Sequence, residues 1–120
     1  MADTFSKLFQ DDLTVLGTPV LVASAVGEQT IVKHMRVVNQ NSGGTTAFRM
    51  WHTTLAGPTT SDQLLVPIVD IASGGWTEFE GTIILNSGEA LYASKETSSV
   101  SSGSQTADLT ITTYGLEMAP

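Results

Sequence analysis

Cysteine is absent from the 120 residues. That excludes disulfides, thiolate metal sites and a cysteine nucleophile, and it leaves the redox compartment unmarked. Basic residues are scarce too: five Lys and Arg stand against twelve Asp and Glu, a formal net charge of −7. Phosphate backbones are held by Lys and Arg that neutralise them, so nucleic acid is not an expected partner. Charged residues of both signs make up only 14% of the chain, which leaves Thr, Ser, Asn, Gln and Gly to supply the polar surface. No apolar run approaches the roughly 20 residues of a membrane-spanning helix, and no membrane partner is expected. The opening MADTFSKLFQDD carries one lysine and no apolar stretch of the kind a secretory signal needs. Internal repeats are missing, and no segment has the periodicity of a helix longer than one turn.

What is present is strand grammar. β-branched residues are abundant, and turn clusters recur at intervals of roughly 8–12 residues. Residues 1–12 read as a short polar arm. Within it FSKLF is one amphipathic turn with Phe5, Leu8 and Phe9 on one side, either a frayed terminus or an arm that docks on a neighbouring subunit. Residues 13–120 read as a single domain. LTVLGTPVLVASAV gives one or two strands broken near Gly17-Thr18-Pro19. In QTIVKHMRVVNQ, Ile31, Met35 and Val37 share a face that Lys33 interrupts, with Val32, His34, Arg36 and Val38 opposite. The turn NSGG leads into TTAFRMWHTTL, whose Phe48 and Met50 face the core with Arg49 outward. After the loop AGPTTSD, QLLVPIVDIA is apolar throughout. Its Pro67 marks a short strand or an edge strand with a bulge.

The stretch SGGWTEFEGTIILNSGEALYA reads as a hairpin. Thr77, Phe79, Gly81, Ile83 and Leu85 lie on one face and Glu78, Glu80, Thr82 and Ile84 on the other. Leu91 and Ala93 return to the same core, with Tyr92 opposite. The Ser-rich TSSVSSGSQTAD connects to a closing strand with Leu109, Ile111 and Thr113 on one side. The expected fold is all-β: an antiparallel two-sheet β-sandwich of about eight strands, jelly-roll-like or Ig-like, with a short N-terminal arm.

Reaction chemistry is hard to find in this pattern. Glu78 and Glu80, two apart on a strand, point the same way, roughly 7 Å apart. Glycosidase carboxylates need comparable separations but face each other across a cleft, so the pair reads as the outer face of a half-buried strand. No serine lies in G-x-S-x-G and no glycine pattern forms a P-loop, so no catalytic residue is assigned. His34 and His52 lie on neighbouring candidate strands, but no Asp or Glu sits at a compelling metal-ligand spacing, and no metal or cofactor is expected. Trp76, at a loop-to-strand junction, either caps the core or stacks on a sugar. Trp51 lies opposite Phe48, where exposure would mark a subunit interface. Lys33, Arg36 and Arg49, on adjacent expected strands, are either scattered solvated charge or a small basic patch for an acidic neighbour. The candidate assembly contacts are thus Phe5, Leu8, Phe9, Arg36, Arg49, Trp51 and Trp76.

TIVKHMRVVNQNSGGTTAFRMW, GGWTEFEGTIILNSGEALYA and LTITTYGLEM together resemble small β-sandwich virion structural proteins of tailed bacteriophages. The matching features are Asn39 before a Gly-rich turn, the inward Phe48, and the G-x-hydrophobic-x-L-x-x-G-(D/E)-x-L-(Y/W) segment from Gly81 to Tyr92. Gly115-Leu116-Glu117 closes the set. The likeness spans roughly residues 13–118. It implies a virion structural role, either capsid decoration or cement on the outer shell or a neck or tail adaptor or fibre-associated component. It transfers no catalytic residue. A carbohydrate-binding β-sandwich module is a second alternative. The partners it implies are the major capsid protein or other virion proteins, with self-association as a homotrimer. The location it implies is the virion, with the capsid exterior ahead of tail or neck.

Overall fold

The computed structural model describes residues 5–25, 28–39, 44–57, 64–97 and 109–118. Most of the expected turn NSGG, the loop AGPTTSD and the Ser-rich connection lies outside the described residues, as does the side chain of Phe5. Among the described residues eight antiparallel strands form two four-stranded sheets. The strands are β1 (Phe5–Leu13), β2 (Val20–Ser24), β3 (Thr30–Asn39), β4 (Thr46–Thr54), β5 (Leu64–Ile71), β6 (Trp76–Leu85), β7 (Glu89–Glu96) and β8 (Leu109–Glu117). One sheet runs β1-β8-β3-β6 and the other β2-β7-β4-β5. First pairs with eighth, second with seventh, third with sixth and fourth with fifth. That nested pairing is a jelly roll, a sandwich made by rolling up one long hairpin.

Alternation sets the core. Val22, Val32, Met35, Val37, Phe48, Met50, Ile83, Leu85, Leu91, Leu109 and Ile111 are buried between the sheets, and each large aliphatic side chain so buried contributes roughly 1.5–3 kcal/mol. Strand β2 is tied to β8 and β3 of the other sheet by polar links across the gap. Thr113 Oγ1 donates to the Val22 carbonyl at 3.0 Å, and Thr30 Oγ1 to the Ser24 carbonyl at 2.9 Å.

Several sequence expectations change. The segment expected as an N-terminal turn is strand β1, paired along its length with β8. Its register shifts between Lys7 and Phe9. The extra residue turns both Leu8 and Phe9 toward the core, against which they pack half-buried. A bulge therefore mimics the spacing of a helical turn. Between β1 and β2, LTVL adds no strand, only an isolated bridge from Leu16 to Lys95.

The register of β3 shifts between Val32 and His34: against β8 the extra residue is Lys33, whereas against β6 it lies on β6, where Gly81 and Thr82 face Lys33. The buried set is Thr30, Val32, Met35, Val37 and Asn39, and Ile31 is only partly covered. The lysine that seemed to interrupt one face marks the point where the faces exchange.

The stretch from Trp76 to Ala93 is not a hydrogen-bonded hairpin. β6 pairs with β3, while β7 pairs with β2 and β4 in the other sheet. The Asn86–Glu89 turn closes with Glu89 N–H donating to Asn86 O at 2.9 Å, and Gly88 takes a φ of 89° that favours glycine. It arches the chain across the core, so Leu85 and Leu91 meet from opposite sheets. The expected edge strand with a bulge is β5, whose register against β4 shifts on both sides of Met50.

Candidate functional site

The β5–β6 side of the sandwich is its open edge. Both strands have a neighbour on one side only, and both carry large apolar side chains into solvent. Leu64, Leu65 and Ile68 are exposed on β5, and Trp76, Phe79 and Ile84 on β6. Phe79 is on the inward face of β6, as its alternation predicts, yet it remains 39% exposed because no strand covers it. Behind it lies a cavity of about 160 Å³ with Met35, Val37, Phe48 and Met50 at its floor and Val66 and Val69 at its rim. An apolar cavity of about 150 Å³ accepts a benzene ring, so this one has room for a single large side chain.

The outward face of β6 carries the charge. Antiparallel register sets Glu80 opposite His34, Glu78 opposite Arg36 and Trp76 opposite Val38. His34 Nε2 lies 2.7 Å from Glu78 Oε2, and its ring stacks on Tyr114 with centroids 5.5 Å apart. One ligand atom from each of His34, Glu78 and Glu80 falls within 4.8 Å of the others. The Arg36 guanidinium sits over the Trp76 ring, 4.5 Å from its centroid, a cation–π contact. Lys33 Nζ donates to Thr82 Oγ1 at 2.8 Å.

The seven expected contact residues do not converge. Leu8 and Phe9 pack inward on β1, at the opposite side of the sandwich from β6, and the Phe5 side chain is outside the described residues. Arg36 and Trp76 do meet, on the outer face of the first sheet. Arg49 and Trp51 meet on the outer face of the second, with the guanidinium 4.9 Å from the ring centroid and Arg49 Nε 3.4 Å from Glu96 Oε2. Trp51 is 7% exposed, so the exposure that would mark a subunit interface is not present in the isolated chain.

The expected basic patch is also divided. Lys33 and Arg36 belong to β3, Arg49 to β4, and these strands lie in different sheets. His34 and His52 are parted for the same reason. His52 meets Glu89 instead, at 3.2 Å. The Glu89 carboxyl is held below its ordinary pKa, chiefly by the Asn86 backbone N–H that it accepts and secondarily by His52.

Two features escaped the sequence reading. The apolar edge was signalled by QLLVPIVDIA, since an edge strand that is apolar on both faces must expose one. The His34–Glu78–Glu80 cluster needed the β3–β6 register, which no local spacing encodes. Asn39 and Gly115, two landmarks of the phage-protein resemblance, acquire physical roles. Asn39 is fully buried, and its Nδ2 donates to Gly44 O and to Ile71 O, each at 3.0 Å. Gly115 lies beside the β3 bulge, where a Cβ would fall 1.9 Å from the Ile31 carbonyl oxygen.

No protein-family model matches the chain, and no curated protein matches its sequence. Among solved structures it is similar to a chain in the structure of infectious bursal disease virus, Gx strain, at 9% identity and a TM-score of 0.42, over 98% of this chain and 37% of that one. For the Gt strain the values are 10% identity and a TM-score of 0.28, over 99% and 36%. The chain thus spans little more than a third of the length of these viral neighbours. Superpositions this loose carry no argument about function.

Proposed function

We propose that the chain is a non-enzymatic virion structural protein of the capsid decoration or cement type, bound to the outside of the shell. The observation that carries this reading is the open β5–β6 edge, where Phe79 is exposed over an apolar cavity that Val66 and Val69 also line, and where Leu64, Leu65, Ile68 and Trp76 are exposed elsewhere on the same two strands. Large apolar side chains exposed along an unpaired edge mark a protein–protein contact, and a cavity sized for one side chain suits an anchor residue of a partner. The partner is the major capsid protein or another virion protein, engaged by a homo-oligomer, with a trimer suited to local three-fold positions. A net charge of −7 fits a place outside the shell, away from packaged DNA. The mechanism is mass action: a protein that binds the mature shell and not its looser precursor stabilises the former. The resemblance to tailed-phage virion proteins is a further support.

A neck or tail adaptor would use the same edge at far lower copy number. A carbohydrate-binding module is disfavoured by one contact: Arg36 occupies a face of the Trp76 ring on which a sugar would stack. The test is add-back of purified protein to particles that lack it, with occupancy read after sedimentation. Phe79→Asp and Ile68→Asp should each abolish decoration while leaving a folded protein. Unchanged occupancy in both variants would refute the edge as the contact.

A further inference from the structure

We propose that His34, Glu78 and Glu80 form a binding site for a first-row divalent cation such as Zn²⁺, on the outer face of β3 and β6. One imidazole nitrogen and two carboxylates are a donor set that suits such ions. The three side chains come from two directly paired strands, with their ligand atoms within 4.8 Å of one another. Neighbouring ligands at metal bonds of about 2.1 Å sit roughly 3.4 Å apart in a tetrahedron. The His34–Glu78 separation of 2.7 Å is already shorter than that, and exposed glutamate rotamers can adjust the rest.

Two further observations point to a cation. First, the His34 ring is held by its stack on Tyr114 as well as by its contact with Glu78, so the imidazole stays aimed at the carboxylates. Second, the neighbouring cationic side chains are directed elsewhere. Arg36, opposite Glu78 in register, lies over Trp76, and Lys33 donates to Thr82. Two carboxylates on one face therefore converge on a single imidazole, and a divalent ion would offset their mutual repulsion. Such an ion would clamp the edge strand β6 to β3, and its remaining coordination positions would open to solvent. The site is independent of the virion reading, because it concerns this chain alone.

The test is calorimetric titration of the full-length, untagged protein with Zn²⁺ at neutral pH, alongside thermal melts. One ion should bind per chain, and saturating Zn²⁺ should raise the melting temperature. His34→Ala and Glu78→Gln should each weaken binding by about tenfold or more, and His52→Ala should leave it unchanged. Absence of saturable binding at millimolar Zn²⁺ would overturn the proposal. So would binding that survives both His34→Ala and Glu78→Gln, or that falls equally in His52→Ala.

Discussion

Gly115→Ala tests the packing of the first sheet at its tightest point. Gly115 is buried in β8 opposite Val32, next to the Lys33 bulge. A Cβ there would lie 1.9 Å from Ile31 O and 3.0 Å from both the Ile31 carbonyl carbon and Val32 Cα. All three are backbone atoms of a central strand, so no rotamer change relieves the clash. To bring the oxygen out to even a tight 3.0 Å, β3 and β8 must part by about 1.1 Å. That motion breaks ladder hydrogen bonds and opens the core beneath Val32. Overpacking a well-filled interior costs about 1–3 kcal/mol, and broken backbone bonds add about 1 kcal/mol each. The expected loss is therefore about 3 kcal/mol or more by urea denaturation. Gly81→Ala is the control, because its Cβ would meet only the ring end of the exposed Phe79, at 3.2 Å. It should cost less than about 1 kcal/mol. Equal losses in the two variants would refute the argument that the bulge at Lys33 forces glycine at 115.

Other consequences follow from the same contacts. Asn39→Ala strands the Gly44 and Ile71 carbonyls without their side-chain donor and should cost about 2–4 kcal/mol by chemical denaturation. Deletion of residues 1–12 removes most of β1, exposes the β8 edge and uncovers core contacted by Leu8 and Phe9. The truncated chain should lose cooperative thermal unfolding, whereas a dispensable arm would leave the melt intact. Glu89 has a folded-state pKa below the unfolded value of 4.5, so its contribution is present above that pH and is lost as pH falls through the folded value. The stability gap between wild type and Glu89→Gln should close in acid, and a gap constant from pH 7 to pH 3 would contradict the assignment.

The sequence makes the strands and the turns legible because both are local. Phe48 and Met50 reach the core as their alternation predicts, and so do Ile83, Leu85, Leu91, Leu109 and Ile111. What it hides are the non-local choices. A hairpin and an arch use the same turn residues and the same alternation, so NSGE does not reveal that β7 joins the opposite sheet. Bulges hide in the same way: at Leu8 one imitates helical spacing, and at Lys33 one exchanges the two faces of β3. The separation of β3 from β4 then divides the expected basic patch. The β3–β6 register builds the His34–Glu78–Glu80 cluster from residues more than forty positions apart. Asn39 and Gly115 were visible as landmarks, but their reasons lie in partners on other strands.

The central claim is that this jelly roll coats the outside of a capsid. Quantitative mass spectrometry of purified particles, calibrated against the major capsid protein, tests it most directly. Decoration predicts copies in the hundreds, in fixed ratio to the shell subunits. A dozen copies or fewer would place the protein at the neck or tail, and its absence from purified particles would contradict a virion role altogether.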